Sequence, residues 1–167
     1  VVNIPYSVNT PFYIESILVI NPFLGYNNAP SLLNPPIDNA AINKLFIHNP
    51  SAFDIDGDSL SYELIPCKGE AGNDIPNYTY PTATSSLTID AITGDFVWDT
   101  PDKIGEYNVA ILIKEWRLGS MIGSLIRDMQ ITVIDADNDP PVIEALAEIC
   151  VEAGSLIQFD VIATDVN

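Results

Sequence analysis

Apolar residues recur at every second position through several stretches of this chain: Leu60, Tyr62 and Leu64; Val109, Ile111 and Ile113; Met129, Ile131 and Val133. Side chains of a β-strand point alternately to opposite faces, so this period builds half-buried antiparallel strands rather than helices. Turn chemistry interrupts the runs at short intervals, at Asp56-Gly57-Asp58, Lys68-Gly69-Glu70, Thr93-Gly94-Asp95, Thr100-Pro101-Asp102 and Leu118-Gly119-Ser120. Twenty-three Ile residues and the near absence of Ala/Leu/Glu/Lys-rich stretches point the same way. The pattern predicts an all-β chain folded as an antiparallel sandwich, with strands over 13–20, 44–48, 60–65, 86–89, 95–99, 105–116 and 121–135. The last two should form a long hairpin around Arg117–Ser120, and a final pair over 148–151 and 156–163 should start a new unit.

The charge excludes several partners. Twenty-three Asp+Glu against six Lys+Arg give a formal net charge of −17. Six scattered cations cannot build the basic stripe that phosphate neutralisation requires, so nucleic acid and anionic lipid are excluded as electrostatic partners. The longest apolar runs span four or five residues, far below the ~18–20 that a spanning helix needs. With 47% hydrophobic residues the chain is nonetheless globular, not a disordered acidic tail. It opens at Val1 without a signal-type apolar segment and is read as a piece of a larger protein.

An internal repeat emerges when the chain is slid by ~111 residues. Asn28-Ala29-Pro30 then falls on Asp139-Pro140-Pro141, and Ala52-Phe53-Asp54-Ile55-Asp56 on Ala163-Thr164-Asp165-Val166-Asn167. On this reading residues 1–29 are the C-terminal strands of a preceding β-domain, 30–139 a complete domain, and 140–167 the first strands of the next repeat.

Two carboxylate clusters stand out: Asp54-Ile55-Asp56-Gly57-Asp58, and Asp135-Ala136-Asp137-Asn138-Asp139 before Pro140-Pro141. Like charges packed this densely cost stability unless neutralised, and oxygen-only donors favour a hard cation such as Ca²⁺. An EF-hand is excluded, because the glycine stands fourth and the twelfth position from Asp54 is Ile65. The competing explanation is that these residues only solvate turns and cap them through their own backbone.

The second cluster resembles the interdomain linker of cadherin repeats, a run of Asp and Asn ending in Pro. The pairs Asp54-x-Asp56 and Asp165-x-Asn167 resemble the Asp-x-Asp motif inside each repeat. More closely, Ala52 through Leu64 is similar to the Ala-x-Asp-x-Asp-Gly-Asp-x-Leu-x-Tyr-x-Leu pattern of bacterial cadherin-like and immunoglobulin-like repeats. Leu87–Gly94, Trp98–Pro101 and Gly105–Val109 resemble that pattern's second half, so the likeness covers most of residues 45–141. Ile65-Pro66-Cys67-Lys68-Gly69-Glu70 and Lys114-Glu115-Trp116-Arg117 resemble the variant found in type IX-exported, gliding-motility-associated surface proteins.

The resemblance implies an immunoglobulin/cadherin-like sandwich that serves as a secreted, cell-surface adhesive stalk or filament module and not as an enzyme. Its partners would be neighbouring repeats or other copies of itself, and a surface glycan or protein beyond them; strand exchange between copies is a further expectation, motivated by the half-domains read at the two ends. It further implies a Ca²⁺ junction formed by Asp135, Asp137, Asn138 and Asp139 with Asp165 and Asn167, the better candidate of the two clusters. Asp54 and Asp56, with Asp58 beside them, would serve the preceding junction, whose linker Gly25–Pro30 departs from the pattern by carrying no carboxylate. Glu15 and Glu115 are the weaker candidates for the family's upstream Glu ligands. If the family staple joins the early part of a repeat to the loop after 60–65, Cys67 lacks its partner and Cys150 pairs outside this stretch; a Cys67–Cys150 bridge is the alternative. Both thiols are compatible with an oxidising, extracellular setting.

Other residues carry less. His48, the single histidine, sits in an alternating stretch without a recognisable nucleophile motif, which reads as structural. Trp98 and Trp116 fit a sandwich core better than a sugar platform. Tyr78 and Tyr80, in the long Gly69–Thr84 loop, are the residues best placed to touch a ligand, and they support the second functional reading, a carbohydrate-binding module. A third reading is an ancillary domain of a secreted hydrolase.

Overall fold

The computed structural model describes residues 1–136, 141–144 and 150–165. Its strands are β1 (Ser16–Leu18), β2 (Ser31–Leu32), β3 (Ile37–Ala41), β4 (Phe46–His48), β5 (Ala52–Phe53), β6 (Ser59–Ile65), β7 (Leu87–Ile89), β8 (Phe96–Trp98), β9 (Gly105–Arg117), β10 (Ser120–Ile134), β11 (Val142–Ile143) and β12 (Ala163–Thr164). The chain is all-β, and the contacts divide it into two units, Val1–Asp135 and Ala136–Asn167.

The first unit is built on the β9–β10 hairpin. The two strands pair antiparallel from Arg117↔Ser120 to Gly105↔Val133, with a bulge between Met121 and Gly123. β6 lines the other side of β9 antiparallel, from Ser59↔Trp116 to Ile65↔Ala110. Along β10, β1 pairs antiparallel at residues 123–125 and β3 pairs parallel at residues 130–134. A second sheet runs β4-β8-β7, and β2 pairs with β5.

Alternation explains the core. Tyr107, Val109, Ile111 and Ile113 of β9 and Met129, Ile131 and Val133 of β10 turn inward against Phe46, Phe96 and Trp98 of the second sheet. The Trp98 and Tyr107 rings meet edge-to-face at 5.0 Å, and the Phe46 and Phe96 rings at 6.3 Å. Each such side chain contributes about 1.5–3 kcal/mol through burial. The polar tips of the aromatics are satisfied internally: Trp98 Nε1 donates to Thr82 O (2.8 Å) and Tyr107 Oη to Lys103 O (2.9 Å). The opposite face of β9 is covered too, because Ala110 packs with Ile4, Cys67 and Ile75 in a smaller cluster.

The predicted hairpin and sandwich are present. The sequence pattern does not predict the short strands β2, β3 and β5, since Ile37-Asp38-Asn39-Ala40-Ala41 shows no clean alternation and two-residue pairs leave no periodic signal. Residues 1–29, expected to belong to a preceding domain, lie within the first unit: β1 hydrogen-bonds to β10, and Val2 N donates to Glu106 O (2.7 Å). In the second unit the observed pair is Val142↔Thr164 and Ile143↔Ala163. No strand runs through 156–162 or 150–151, and residues 148–149 of the expected 148–151 strand lie outside the described residues.

Candidate metal centre

β9 positions the centre. Its inward row Tyr107, Val109, Ile111, Ile113 continues, by the same period, to Glu115 and then Arg117, just before the hairpin turn. Glu115 is therefore buried at one end of the core, 1% exposed. The Asp54–Asp58 turn, which joins β5 to β6, reaches the same place because β6 pairs Ser59 with Trp116.

The turn is shaped by its own acids. Asp54, 7% exposed, accepts the backbone N–H groups of Asp56 (2.9 Å) and Asp58 (3.0 Å) on Oδ1. Carboxylate oxygens of Asp54, Asp56 and Asp58 come within 4.8 Å of one another, an arrangement able to hold a metal ion. Arg117 forks onto Asp58, with Nε on Oδ1 at 2.7 Å and Nη2 on Oδ2, and stands 3.6 Å from Asp56. The same guanidinium donates to Leu24 O and Tyr26 O (both 2.8 Å) and to Asn27 Oδ1 (2.8 Å). Asn28 donates to Asp56 from its backbone N (2.7 Å) and its Nδ2 (3.1 Å). Residues 24–28, which overlap the carboxylate-free Gly25–Pro30 linker of the repeat reading, thus close over the acidic turn with amides and carbonyls.

The electrostatics are unbalanced. Four carboxylates face one guanidinium, and Asp54 Oδ2 and both Glu115 oxygens are buried without a hydrogen-bond partner. Burial pushes the Glu115 carboxyl up to about 7, with the neighbouring Asn27 side chain opposing the shift and the negative charges of Asp54 and Asp58 reinforcing it. The Arg117 hydrogen bonds hold Asp58 below the usual carboxylate range, and Asp58 in turn raises Arg117. Space for the Glu115 carboxylate exists because residue 123, beside it on β10, is glycine: a Cβ there would overlap Glu115 Oε2. An all-oxygen donor set, orphaned buried oxygens and a glycine-made cradle fit a hard cation.

No protein-family model matches this chain, and no curated protein matches it.

The other sequence candidates fall elsewhere. Asp135 closes the first unit and is exposed, and Asp165 is exposed in the second unit; Asp137, Asn138, Asp139 and Asn167 lie outside the described residues. Glu15 hydrogen-bonds Tyr13 Oη (2.9 Å) on β10's β1 side. Tyr78 Oη donates to Asn108 O (3.1 Å) and its ring packs on the Ile4 cluster, while Tyr80 Oη donates to Leu64 O (3.3 Å); the rings meet edge-to-face at 5.4 Å. Both hydroxyls are engaged with the protein's own carbonyls. Trp98 is fully buried, and Trp116 Nε1 donates to Ser61 Oγ (2.8 Å). His48, buried, pairs Nδ1 with Asp38 Oδ2 at 2.8 Å. Cys67 and Cys150 are free thiols, and burial pushes Cys67 up to about 12. Glu115 was a minor candidate by resemblance; the stronger signal was a Glu occupying an inward position in an apolar alternating row.

Proposed function

We propose that this chain is a structural module of an extracellular surface protein, a cadherin-like or immunoglobulin-like β-sandwich repeat that Ca²⁺ stiffens. The observation that carries this reading is the buried carboxylate centre: Asp54 and Glu115 with three buried, unpartnered oxygens at the end of the sandwich, beside Asp56 and Asp58. Asp54 and Glu115, flanked by Asp56 and Asp58, would hold the ion, which would supply the positive charge that the single guanidinium leaves missing and would bind the 24–28 segment, the β5–β6 turn and the end of β9 into one rigid corner. Such a corner is of use in a load-bearing array and has no need of a nucleophile. The net charge of −17 would keep long arrays soluble and mutually repelling. Its partners would be adjacent repeats of the same polypeptide or further copies.

The test is a thermal melt of the chain in EDTA and in millimolar Ca²⁺. A ligand confined to the native state stabilises by about 2.7 kcal/mol at a hundredfold excess over its Kd, so Tm should rise by several degrees. The rise should disappear in Asp54→Asn. Equal melts in EDTA and Ca²⁺ would reduce the acidic turn to backbone capping and remove the basis for a calcium-stiffened module.

A further inference from the structure

The Asp-x-Asp-Gly-Asp turn suggests an ion shared among Asp54, Asp56 and Asp58, but the hydrogen bonds divide these oxygens differently. Both Asp58 oxygens are engaged by the Arg117 fork. Both Asp56 oxygens are engaged by Asn28. Asp54 Oδ1 accepts two backbone N–H groups. Of the eight carboxylate oxygens of these four residues, the uncommitted buried ones are Asp54 Oδ2, Glu115 Oε1 and Glu115 Oε2.

We infer, building on the metal reading above, that the centre takes a single divalent cation on Glu115 and Asp54, and that Arg117 is a resident counter-cation that keeps Asp58 out of the coordination. Charge leads to the same count. Four carboxylates and one guanidinium sum to −3, which one divalent ion brings to −1; a second would have to displace the guanidinium from Asp58 and would face it as a like charge. Gly123 supports this placement, since it reserves room for Glu115 and not for the Asp56–Asp58 end of the turn. Arg117 also carries the state of the centre outward, because its remaining donors hold Leu24 O, Tyr26 O and Asn27 Oδ1.

Calcium titration of the whole chain by calorimetry tests this, with Glu115→Gln as the reference that identifies which ions belong to the centre. Glu115→Gln should remove one equivalent relative to the unaltered chain, while Asp58→Asn, acting behind the ligands, should weaken that equivalent by about tenfold and leave it present. Arg117→Gln should admit a second equivalent, and Arg117→Lys, which keeps the charge, should not. Two equivalents lost in Glu115→Gln, or an equivalent abolished by Asp58→Asn but retained in Glu115→Gln, would overturn the inference while leaving calcium binding intact. An Arg117→Gln chain that folds by circular dichroism and still takes one equivalent would also overturn it. No calcium bound by the unaltered chain would overturn the functional reading as well, which separates the two failures.

Discussion

Glu115 concentrates the energetic tension of this molecule in one side chain. Its carboxyl moves from 4.5 to about 7 because burial penalises the charged form. The folded state therefore holds a proton that the unfolded chain releases between those values, and stability must fall as pH rises through that window. The shift corresponds to about 3 kcal/mol at its full extent. In EDTA, urea midpoints measured from pH 4.5 to pH 8 should decline, and Glu115→Gln should flatten most of that decline. A wild-type profile that rises over the window would show that Glu115 ionises in the fold without cost. Gly123→Ala tests the same side chain from the other strand. A methyl group crowding Glu115 Oε2 forces the buried carboxylate to shift, which should cost about 1–3 kcal/mol and should erase the calcium-dependent rise in Tm; a variant as stable and as calcium-responsive as wild type would show that the cradle is unnecessary.

At the scale of elements, the β9–β10 hairpin sets where both Glu115 and Arg117 stand, and its turn is imperfect. Leu118 (φ 49°) and Gly119 (φ 77°) both adopt left-handed backbone, the conformation of a two-residue hairpin turn matched to strand twist. Glycine is suited to it; a leucine that is 91% exposed and buries nothing in return is not. Leu118→Asn should stabilise the chain by about 1 kcal/mol, read as a rise of a few degrees in Tm with Arg117's contacts unchanged; a fall would mean that the leucine makes a contact in solution that outweighs its backbone strain. The hairpin was also the most legible element in the sequence, because thirteen- and fifteen-residue strands sample the period many times. β2 and β5, with two residues each, carry no period, and β3 joins β10 in parallel through a polar segment whose pairing is decided by tertiary contacts. The centre was legible in part. Acids at alternate positions announced Asp54, Asp56 and Asp58, but Arg117 and Asn28 reach them from sequence separations that no local motif encodes.

Across the whole molecule, residues 1–29 do structural work that the repeat pattern does not reveal. Asn3 is 5% exposed and is held by three bonds: Nδ2 donates to Thr79 O (3.0 Å) and Asn108 O (2.7 Å), and Oδ1 accepts Asn108 N (2.9 Å). Ile4 beside it fills the small cluster over Cys67, Ile75 and Ala110. The segment closes the outer face of β9, and β1 extends the sheet along β10. Asn3→Ala alone should cost about 1 kcal/mol, since it removes the acceptor of the half-buried Asn108 N and a donor to Thr79 O, while Asn108 O keeps the Tyr78 hydroxyl. Removing residues 1–29 should cost far more and should uncover Cys67, which is fully buried in the intact chain, whereas Cys150 is already exposed. Thiol titration makes the difference countable: one fast-reacting thiol in the intact native chain and two after the deletion, with a Tm lower by ten degrees or more. If the shortened chain instead melts where the intact one does, with Cys67 still protected, then residues 30–135 complete their own core and the N-terminal segment is an addition to the fold, as the 111-residue repeat would have it.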